Sequence, residues 1–274
     1  MDIKAFKMDG LGNDFVIIDQ RYQNYNLTKD QIIKICDRKF IGCDQLIFIK
    51  KSDEKDAGLE FYNSDGSVSG ACGNGTRCVA DLLSKENNDK EIILWTSSGA
   101  LKSQILGDNL IETEIGVPKI NWNEIPLNQN LDTKNLKIKI VNKNNIEHIG
   151  GTSVNVGNPH VVFFVDNIKD YDLKKIGPEI ENHKYFPEKC NVTLAQVINK
   201  KLIKVKVWER GAGLTKACGT AACATAIAAN INELTDKKTD IEFALGRLSI
   251  SIDKNNSIHM KGPVSDIENI EINI

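Results

Sequence analysis

Ala71-Cys72-Gly73-Asn74-Gly75-Thr76-Arg77-Cys78 and Ala217-Cys218-Gly219-Thr220-Ala221-Ala222-Cys223 are two distant stretches of the chain that follow the same plan. Each places Ala-Cys-Gly before a helical pattern and a second cysteine on that predicted helix. The unpaired N–H groups and the dipole at a helix N-terminus favour negative charge, so we expect the thiolate forms of Cys72 and Cys218 to be stabilised. Two matched acid–base thiols facing one site are suited to racemisation without a cofactor.

Composition excludes several classes of function. The chain of 274 residues carries 35 Lys and Arg against 37 Asp and Glu, and it has no basic stripe with interleaved aromatic residues. We therefore expect no nucleic-acid partner. The longest apolar run, Val161 to Val165, is far too short to span a membrane, and the start of the chain shows no signal-peptide pattern. These features predict a cytoplasmic protein without a membrane partner.

Cysteine and histidine usage argues against disulfides and metals. An odd number of cysteines, seven, is unlike a disulfide framework, and neither motif has the cysteine spacing of a zinc site. The four histidines are scattered, so we expect no metal. A buried, unreactive thiol is the usual fate of a cysteine, and we predict it for Cys36, Cys43, Cys78, Cys190 and Cys223. The duplicated glycine-flanked context argues against that interpretation for Cys72 and Cys218.

Hydrophobic periodicity predicts an α+β protein with an internal duplication. In each half, several predicted strands precede a cysteine-headed helix and hairpin-like strands follow it. Helices are predicted at residues 29–38, 75–85, 172–181 and 220–232, and strands at 4–7, 14–18, 45–49, 59–62, 91–96, 101–106, 110–115, 136–141, 152–156, 160–165, 192–198, 202–208, 241–244, 248–252 and 257–261. Residues 117–130, with little periodicity, are the predicted linker. We place the domains at 1–118 and 119–262, and we expect a C-terminal strand within 263–274 to join the first domain.

The two cysteine-headed helices differ in pattern. The segment from Ala221 to Ala229 is apolar nearly all round, which is typical of a helix enclosed by other structure. The first helix is predicted to be more amphipathic, with Val79 and Leu83 on one side and Arg77 and Asp81 elsewhere. A mostly antiparallel, barrel-like sheet wrapped around a central helix would satisfy both patterns.

The motifs fit the demands of α-proton removal from a free amino acid. The carbanion can share its charge only with its own carboxylate, which backbone N–H groups and helix dipoles can stabilise. A thiolate base on one face of the α-carbon and a thiol acid on the other would exchange the proton. The turns Gly73-Asn74-Gly75 and Gly219-Thr220 leave backbone donors for the carboxylate.

Four motifs resemble those of a known family along nearly the whole chain. They are Met8-Asp9-Gly10-Leu11-Gly12-Asn13-Asp14-Phe15, Phe61-Tyr62-Asn63-Ser64-Asp65-Gly66-Ser67 with the first cysteine motif, Gly157-Asn158-Pro159-His160, and Trp208-Glu209-Arg210-Gly211-Ala212-Gly213 with the second. By these motifs the chain resembles the diaminopimelate epimerase family. The cysteine-containing strings are highly specific.

The resemblance implies a fold, a reaction and a set of site residues. The fold would have two similar domains with the active site in the cleft between them. The reaction would interconvert LL- and meso-2,6-diaminoheptanedioate, without a cofactor, in lysine and peptidoglycan precursor synthesis. Catalytic roles would fall on Cys72, Cys218, His160 and Glu209. Substrate contacts would fall on Asn13, Gln45, Asn63, Gly73, Asn74, Asn158, Asn191, Glu209, Arg210, Gly219 and Thr220.

Residue chemistry agrees with these roles, and three departures accompany them. Arg210 can bind a carboxylate with two parallel hydrogen bonds, and Glu209 can accept one from an ammonium group. Asp9 stands where the family often has His, and Ala221 stands where it commonly has Gly. The C-terminal segment from Val264 to Glu268 lacks a tyrosine that some relatives use at a dimer contact, so a homodimer is possible but not supported by that surface.

Two alternatives remain open. Another cysteine-pair enzyme of the same fold, such as a proline racemase or a phenazine-pathway-like isomerase, is the first. The asparagines and Arg210 would be unmatched by a small monocarboxylate, and a phenazine-type isomerase would not need both cysteines. The second is a redox or binding protein in which Cys72 and Cys218 form a reversible disulfide. We expect that disulfide as an inactivating side reaction.

Overall fold

The chain folds into two units, and the first unit is built from both ends of the chain. Unit 1 comprises Met1–Glu114 with Lys261–Ile274, and unit 2 comprises Ile115–Met260. The structure is a computed structural model that describes residues 2–53, 55–70, 72–97 and 99–274. Met1, Glu54, Ala71 and Ser98 lie outside the described residues, and Ala71 of the first cysteine motif is one of them.

Strands greatly outnumber helices. In chain order the strands are β1 (Asp2–Gly10), β2 (Asn13–Asp19), β3 (Gln45–Lys50), β4 (Ala57–Asn63), β5 (Val68–Ser69), β6 (Glu91–Thr96), β7 (Gly99–Gly107), β8 (Leu110–Gly116), β9 (Ile138–Val141), β10 (Glu147–Gly150), β11 (Thr152–Asn155), β12 (Pro159–Phe164), β13 (Asn191–Asn199), β14 (Leu202–Glu209), β15 (Gly213–Thr215), β16 (Lys238–Phe243), β17 (Gly246–Ile252), β18 (Ile258–Pro263) and β19 (Glu268–Asn273). The helices are α1 (Lys29–Cys36), α2 (Gly73–Asn87), α3 (Leu173–Glu181) and α4 (Gly219–Ile231), with a 3₁₀ turn at Ile168–Asp170.

The two units repeat one pattern of strand pairing. In unit 1, β1–β2, β3–β4 and β6–β7 are antiparallel, whereas β2–β3 and β4–β6 are parallel. In unit 2, β11–β12, β13–β14 and β16–β17 are antiparallel, whereas β12–β13 and β14–β16 are parallel. Parallel strands need a crossover connection, and α1, α2, α3 and α4 lie in these four crossovers. The prediction of an α+β fold with two similar, mostly sheet units is confirmed.

Helix α2 is the core of unit 1. Its Val79 and Leu83 are fully buried in one cluster with Phe15, Ile47 and Phe61 of the surrounding strands. Burial on this scale, at roughly 1.5–3 kcal/mol for each large apolar side chain, holds the start of the helix in place.

Helix α2 is the more amphipathic of the two cysteine-capped helices, as predicted, but its polar side chains are buried as well. Arg77 is 0% exposed and Asp81 is 2% exposed, although both were expected away from the apolar side. Arg77 donates a hydrogen bond to the Asn74 side chain at 3.0 Å, and Asp81 accepts one from Lys85 at 2.7 Å. Because buried polar groups persist when they are paired, these contacts allow α2 to be enclosed on all sides.

Helix α4 is the core of unit 2. Every residue from Ala221 to Ala229 is buried, and the helix packs against β11, β12, β13, β16 and β17. Small side chains allow this close approach, as its sequence predicted. A second cluster of unit 2 includes Ile125 and Leu127, so the predicted linker at 117–130 is packed against the unit and is no free connection.

Strand β19 belongs to the first unit. It pairs with β1 in antiparallel register, from Asp2 opposite Asn273 to Lys7 opposite Glu268. Among the described residues, no helix is long and apolar enough to cross a membrane.

Candidate active site

Cys72 is the N-cap residue of α2. Its backbone is extended, at φ −140° and ψ 112°, and its side chain is half-buried. The carbonyl of Cys72 accepts hydrogen bonds from the N–H and the hydroxyl of Thr76, at 2.8 and 2.9 Å, which fixes the start of the helix. The thiol Sγ lies 3.8 Å from Asn13 Oδ1. Cys72 therefore lies at a helix N-terminus, as predicted.

A chain of amide hydrogen bonds runs beside Cys72. Arg77 donates to Asn74 Oδ1 at 3.0 Å, and Asn74 Nδ2 donates to Asn13 Oδ1 at 3.1 Å. Asn13 Nδ2 then donates to Asp44 Oδ2 at 3.0 Å. A guanidinium can only donate and a carboxylate can only accept, so the two ends of the chain fix the orientation of both amides. Each amide nitrogen keeps a second N–H, which is a suitable donor for a bound carboxylate.

Gln45 and Asn63 form a second amide pair in unit 1. They are opposite each other where β3 begins and β4 ends. Gln45 Nε2 donates to Asn63 Oδ1 at 2.9 Å, and Asn63 Nδ2 donates to the Ser67 hydroxyl at 3.0 Å. The structure thus groups the predicted contacts of unit 1 into the Asn13–Asn74 pair beside Cys72 and the Gln45–Asn63 pair at adjoining strand ends.

Cys218 holds the corresponding position in unit 2. It is the N-cap residue of α4, at φ −146° and ψ 116°, and it is 6% exposed. Its Sγ lies 3.4 Å from the hydroxyl of Thr220. The Glu209 carboxylate at the end of β14 is in hydrogen-bond contact with the same thiol.

The expectation of a stabilised thiolate is wrong for Cys218. Burial, followed by the charge of Glu209, raises the pKa of Cys218 well above its ordinary value. Hydrogen bonds from Thr220 and from the backbone of Ala221 lower it, but they are the smaller effects. Desolvation of a charged sulfur next to a carboxylate outweighs the helix N-terminus. Cys218 is therefore a thiol in this structure.

His160 is a neutral, fully buried residue of β12. Burial, together with the charge of Arg210, lowers its pKa to about 3. Its Nε2 lies 2.8 Å from Asn158 Oδ1, which can only accept, so Nε2 carries the proton. The buried Nδ1 has no hydrogen-bond partner among residues 2–53, 55–70, 72–97 and 99–274. His160 can therefore accept a hydrogen bond, but it cannot act as an imidazolium acid near neutral pH.

Asn191 connects the remaining predicted residues of unit 2. Its Oδ1 accepts from the backbone N–H of Arg210 at 3.0 Å, and its Nδ2 donates to the Pro159 carbonyl at 3.0 Å. The Arg210 guanidinium donates to the Glu188 carbonyl at 2.8 Å. Asn191 thereby ties the turn after β14 to the start of β12, and it positions Glu209 and Arg210.

Gly73 and Gly219 are the first residues of α2 and α4. The first N–H groups of a helix have no intrahelical acceptor and point out of its N-terminal end. Each motif therefore presents backbone donors next to its cysteine, in the manner of an anion site.

Two positioning residues escaped the sequence analysis. Asp44 anchors Asn13, and its only sequence signal is its place directly before Gln45. Glu181 accepts from the Trp208 indole at 2.7 Å and from the Gly211 N–H at 3.1 Å, on either side of Glu209 and Arg210. It lies at the end of α3, and no local pattern points to it. Within the described part of the chain, no group of three His, Cys, Asp or Glu side chains could hold a metal.

The fold and its helix-capping cysteines define a class of duplicated α+β proteins in which a cysteine caps one helix of each unit. A phenazine biosynthesis protein of the PhzF family from Bacillus anthracis matches with a TM-score of 0.70 and 16% identity, over 100% of both chains. A predicted epimerase from Pseudomonas aeruginosa matches with a TM-score of 0.70 and 14% identity, over 98% of this chain and 99% of that one. At these identities the likeness shows the fold alone.

Sequence comparison identifies the family. The diaminopimelate epimerase profile matches residues 5–120 and 152–267. The diaminopimelate epimerase of Pelagibacter ubique strain HTCC1062 is 76% identical over 274 residues, which are 100% of both chains. The chain belongs to the diaminopimelate epimerase family, and it is therefore an isomerase. The resemblance seen in the motifs is confirmed.

Proposed function

We propose that this protein interconverts LL- and meso-2,6-diaminoheptanedioate, without a cofactor, for lysine and peptidoglycan precursor synthesis. The observation that carries the proposal is the pair of N-cap cysteines at the same place in two similarly built units. The 76% identity to the Pelagibacter ubique diaminopimelate epimerase supports the choice of substrate.

The proposed mechanism uses Cys72 and Cys218 on opposite faces of one α-carbon. A thiolate takes the α-proton, so a C–H bond breaks, an S–H bond forms, and the electron pair moves into the substrate carboxylate. The second thiol then delivers its proton to the other face and becomes a thiolate. Cys218 is a thiol in this structure, so it is the proton donor when Cys72 is the base.

Backbone donors would stabilise the intermediate. As charge develops on the substrate carboxylate, N–H groups at the starts of α2 and α4 offer hydrogen bonds and the positive ends of two helix dipoles. The fixed amides of Asn13 and Asn74 add donors in unit 1. These groups are held before reaction, so little reorganisation is needed when the charge forms.

The non-reacting end of the substrate would be bound by polar side chains among the predicted site residues. Arg210 has the planar fork that matches a carboxylate, and it is positioned by Asn191. Glu209 can accept a hydrogen bond from an ammonium group. Its charge also raises the pKa of Cys218, which keeps that thiol protonated. His160, with an unpartnered acceptor nitrogen, would take a further hydrogen bond from the bound substrate. The remaining proposed contacts are Gln45, Asn63, Asn158 and Thr220.

The need for two reduced thiols favours the cytoplasm as the place of action. Cytoplasmic thiols are kept reduced, whereas an oxidising compartment would favour a disulfide.

Incubation of the reduced protein with LL-diaminoheptanedioate in deuterated water tests the proposal. We expect conversion to the meso form with deuterium at one α-carbon, measured by chiral chromatography and mass spectrometry. Proline and lysine serve as control substrates. Exchange in a control substrate instead would overturn the assigned substrate, and exchange in none of the three would contradict isomerase chemistry at an α-carbon.

A further inference from the structure

Unit 1 contains a second pair of cysteines that the proposed mechanism does not use. Cys36 is the last residue of α1, and Cys43 lies two residues before β3. The Cys43 thiol donates to Cys36 Sγ at 3.5 Å, and the Cys43 N–H donates to the Cys36 carbonyl at 3.2 Å. Both were predicted to be buried, unreactive thiols, and the structure buries them in contact with each other.

We propose that Cys36 and Cys43 are an oxidisable thiol pair, which a hydroperoxide converts into an intramolecular disulfide. A disulfide bond is about 2.0 Å long, so the two sulfurs, now 3.5 Å apart, must approach by about 1.5 Å. Rotation of the two side chains about χ1 can supply much of that approach. The backbone hydrogen bond already holds the two residues side by side.

The electrostatics of the pair assign a role to each sulfur. The hydrogen bond from Cys43 is the largest effect on Cys36 and lowers its pKa, and the charge of Arg38 lowers it further against the opposing effect of burial. The same hydrogen bond, followed by burial, raises the pKa of Cys43. Because the thiolate is the nucleophile, Cys36 attacks the oxidant and Cys43 resolves the product.

Cys36 is 4% exposed and Cys43 is 1% exposed, so a small oxidant would approach the pair through Cys36. Both cysteines line a surface depression whose rim includes Arg38 and Asp44. Cys190 in unit 2 is fully buried like Cys43, but its thiol donates to the Ile180 carbonyl and it does not line this depression. Cys190 is therefore an internal control for non-specific oxidation.

The reaction balances with one hydroperoxide. The Cys36 thiolate attacks the terminal oxygen, so an S–O bond forms, the O–O bond breaks, and the alkoxide takes up the proton that Cys36 released. The Cys43 thiol then attacks the Cys36 sulfur, so the S–S bond forms and the S–O bond breaks with loss of water. The two thiols lose two electrons and two protons in total, and the hydroperoxide becomes an alcohol and water.

The disulfide would act on substrate binding through Asp44. This residue follows Cys43 directly, accepts from Asn13 at 3.0 Å and is bridged by Arg38 at 2.6 Å. Closing the disulfide draws Cys43 towards α1 and displaces the anchor of the amide chain beside Cys72. This consequence rests on the proposed function, whereas disulfide formation does not.

Peptide mapping tests the modification. The wild-type protein is treated with hydrogen peroxide, alkylated in denaturant and digested with trypsin without reduction. We expect residues 35–38 linked to residues 40–50, with the link lost after dithiothreitol and Cys190 fully alkylated throughout. Full alkylation of Cys36 and Cys43 at a peroxide dose that oxidises Cys72 would overturn the proposal.

Single variants test the order of attack. In Cys43→Ser the reaction should stop at a Cys36 sulfenic acid, which a cyclic 1,3-dione probe labels and mass spectrometry locates. In Cys36→Ser we expect no label on Cys43. The reverse pattern would contradict the assigned roles, and label on neither variant would contradict the reaction.

Ligand binding in a Cys72→Ser/Cys218→Ser background tests the consequence, because the catalytic thiols cannot then be oxidised. We expect peroxide to raise the Kd for diaminoheptanedioate by about three- to tenfold, the loss of roughly one hydrogen bond, with recovery after dithiothreitol. A linked peptide with unchanged Kd would refute the coupling. If the reduced variant and the reduced wild type both fail to bind, the proposed function fails, and the mapping result still decides the modification.

Discussion

The surroundings of Cys72 and Cys218 differ, although both cysteines cap corresponding helices in similarly built units. Cys72 lies against the amide of Asn13, within a chain of donors held by Arg77. Cys218 lies against the carboxylate of Glu209 and is more deeply buried. The same fold therefore places its two capping cysteines in different electrostatic surroundings. In unit 2 these surroundings raise the pKa of Cys218 and keep it protonated.

Corresponding strand positions carry different side chains in the two units. The parallel pair β2–β3 places Phe15 opposite Gln45, whereas β12–β13 places His160 opposite Asn191. The last residue of β4 is Asn63, and the last residue of β14 is Glu209. The difference teaches that a duplicated fold supplies the position of each thiol, whereas burial and the Glu209 carboxylate at the end of β14 set the pKa of Cys218.

Removal of either cysteine is expected to have the largest effect. Cys72→Ala or Cys218→Ala should lower kcat for epimerisation by at least about 100-fold, because each removes a general acid–base group. Cys223→Ala, at the second cysteine of the same motif, is the matched control and should retain turnover. Steady-state kinetics checks this, and substantial turnover in either single variant would break the two-base comparison.

Glu209→Gln tests the electrostatic half of the comparison. The neutral amide removes a negative charge that raises the pKa of Cys218, so that pKa should fall while kcat falls by about tenfold or more. Ultraviolet titration of the thiolate in a Cys72→Ala background measures the first effect. Glu242→Gln, at an exposed ion pair on β16, is the control. An unchanged Cys218 titration would show that burial alone sets the pKa.

His160 should make unit 2 less stable in acid. Its folded pKa, about 3, lies below the unfolded value, about 6.5, so the unfolded state binds more protons and stability falls as pH decreases through that window. From pH 7 to pH 5 we expect a loss of about 2 kcal/mol from this group. Urea denaturation of wild type and His160→Gln measures it as the difference between their pH dependences. An equal pH dependence in wild type and His160→Gln would contradict the assignment.

Gly75→Ala should cost about 1 kcal/mol of stability, the smallest of these effects. An added Cβ would lie 2.7 Å from Ile47 Cδ1 and 3.0 Å from Phe61 Cε1. Ala221 holds the same position in α4 and is fully buried, so Ala221→Gly is the matched variant and should lose stability through chain entropy and not through a clash. Urea denaturation measures the free energy of unfolding of both variants. An unchanged value for Gly75→Ala would show that unit 1 accepts the alanine that unit 2 has at Ala221.

The sequence predicted the elements well and the buried polar contacts poorly. The repeated Ala-Cys-Gly string was enough to identify two helix-capping cysteines and a duplication, because capping and periodicity are local. The burial of Arg77 was missed because its partner Asn74 looked like a turn residue. Glu181 was missed because it reaches Trp208 and Gly211 from another crossover.

The pKa of Cys218 could not be predicted from its position alone. A helix N-terminus is visible in the sequence, but the depth of burial and the approach of Glu209 depend on how β14 and α4 pack. Family resemblance named the amide residues, whereas only the structure showed that Arg77 and Asp44 orient them.

The pairing of β19 with β1 has a consequence for biosynthesis. Residues 261–274 leave the ribosome after the entire segment 115–260, so unit 1 must wait for its β19 while unit 2 already has all of its chain. Ile3 and Ile272, both fully buried in one cluster, cannot meet until then. During translation the first cysteine-bearing unit is thus the later of the two to be completed, although it is the first to be synthesised.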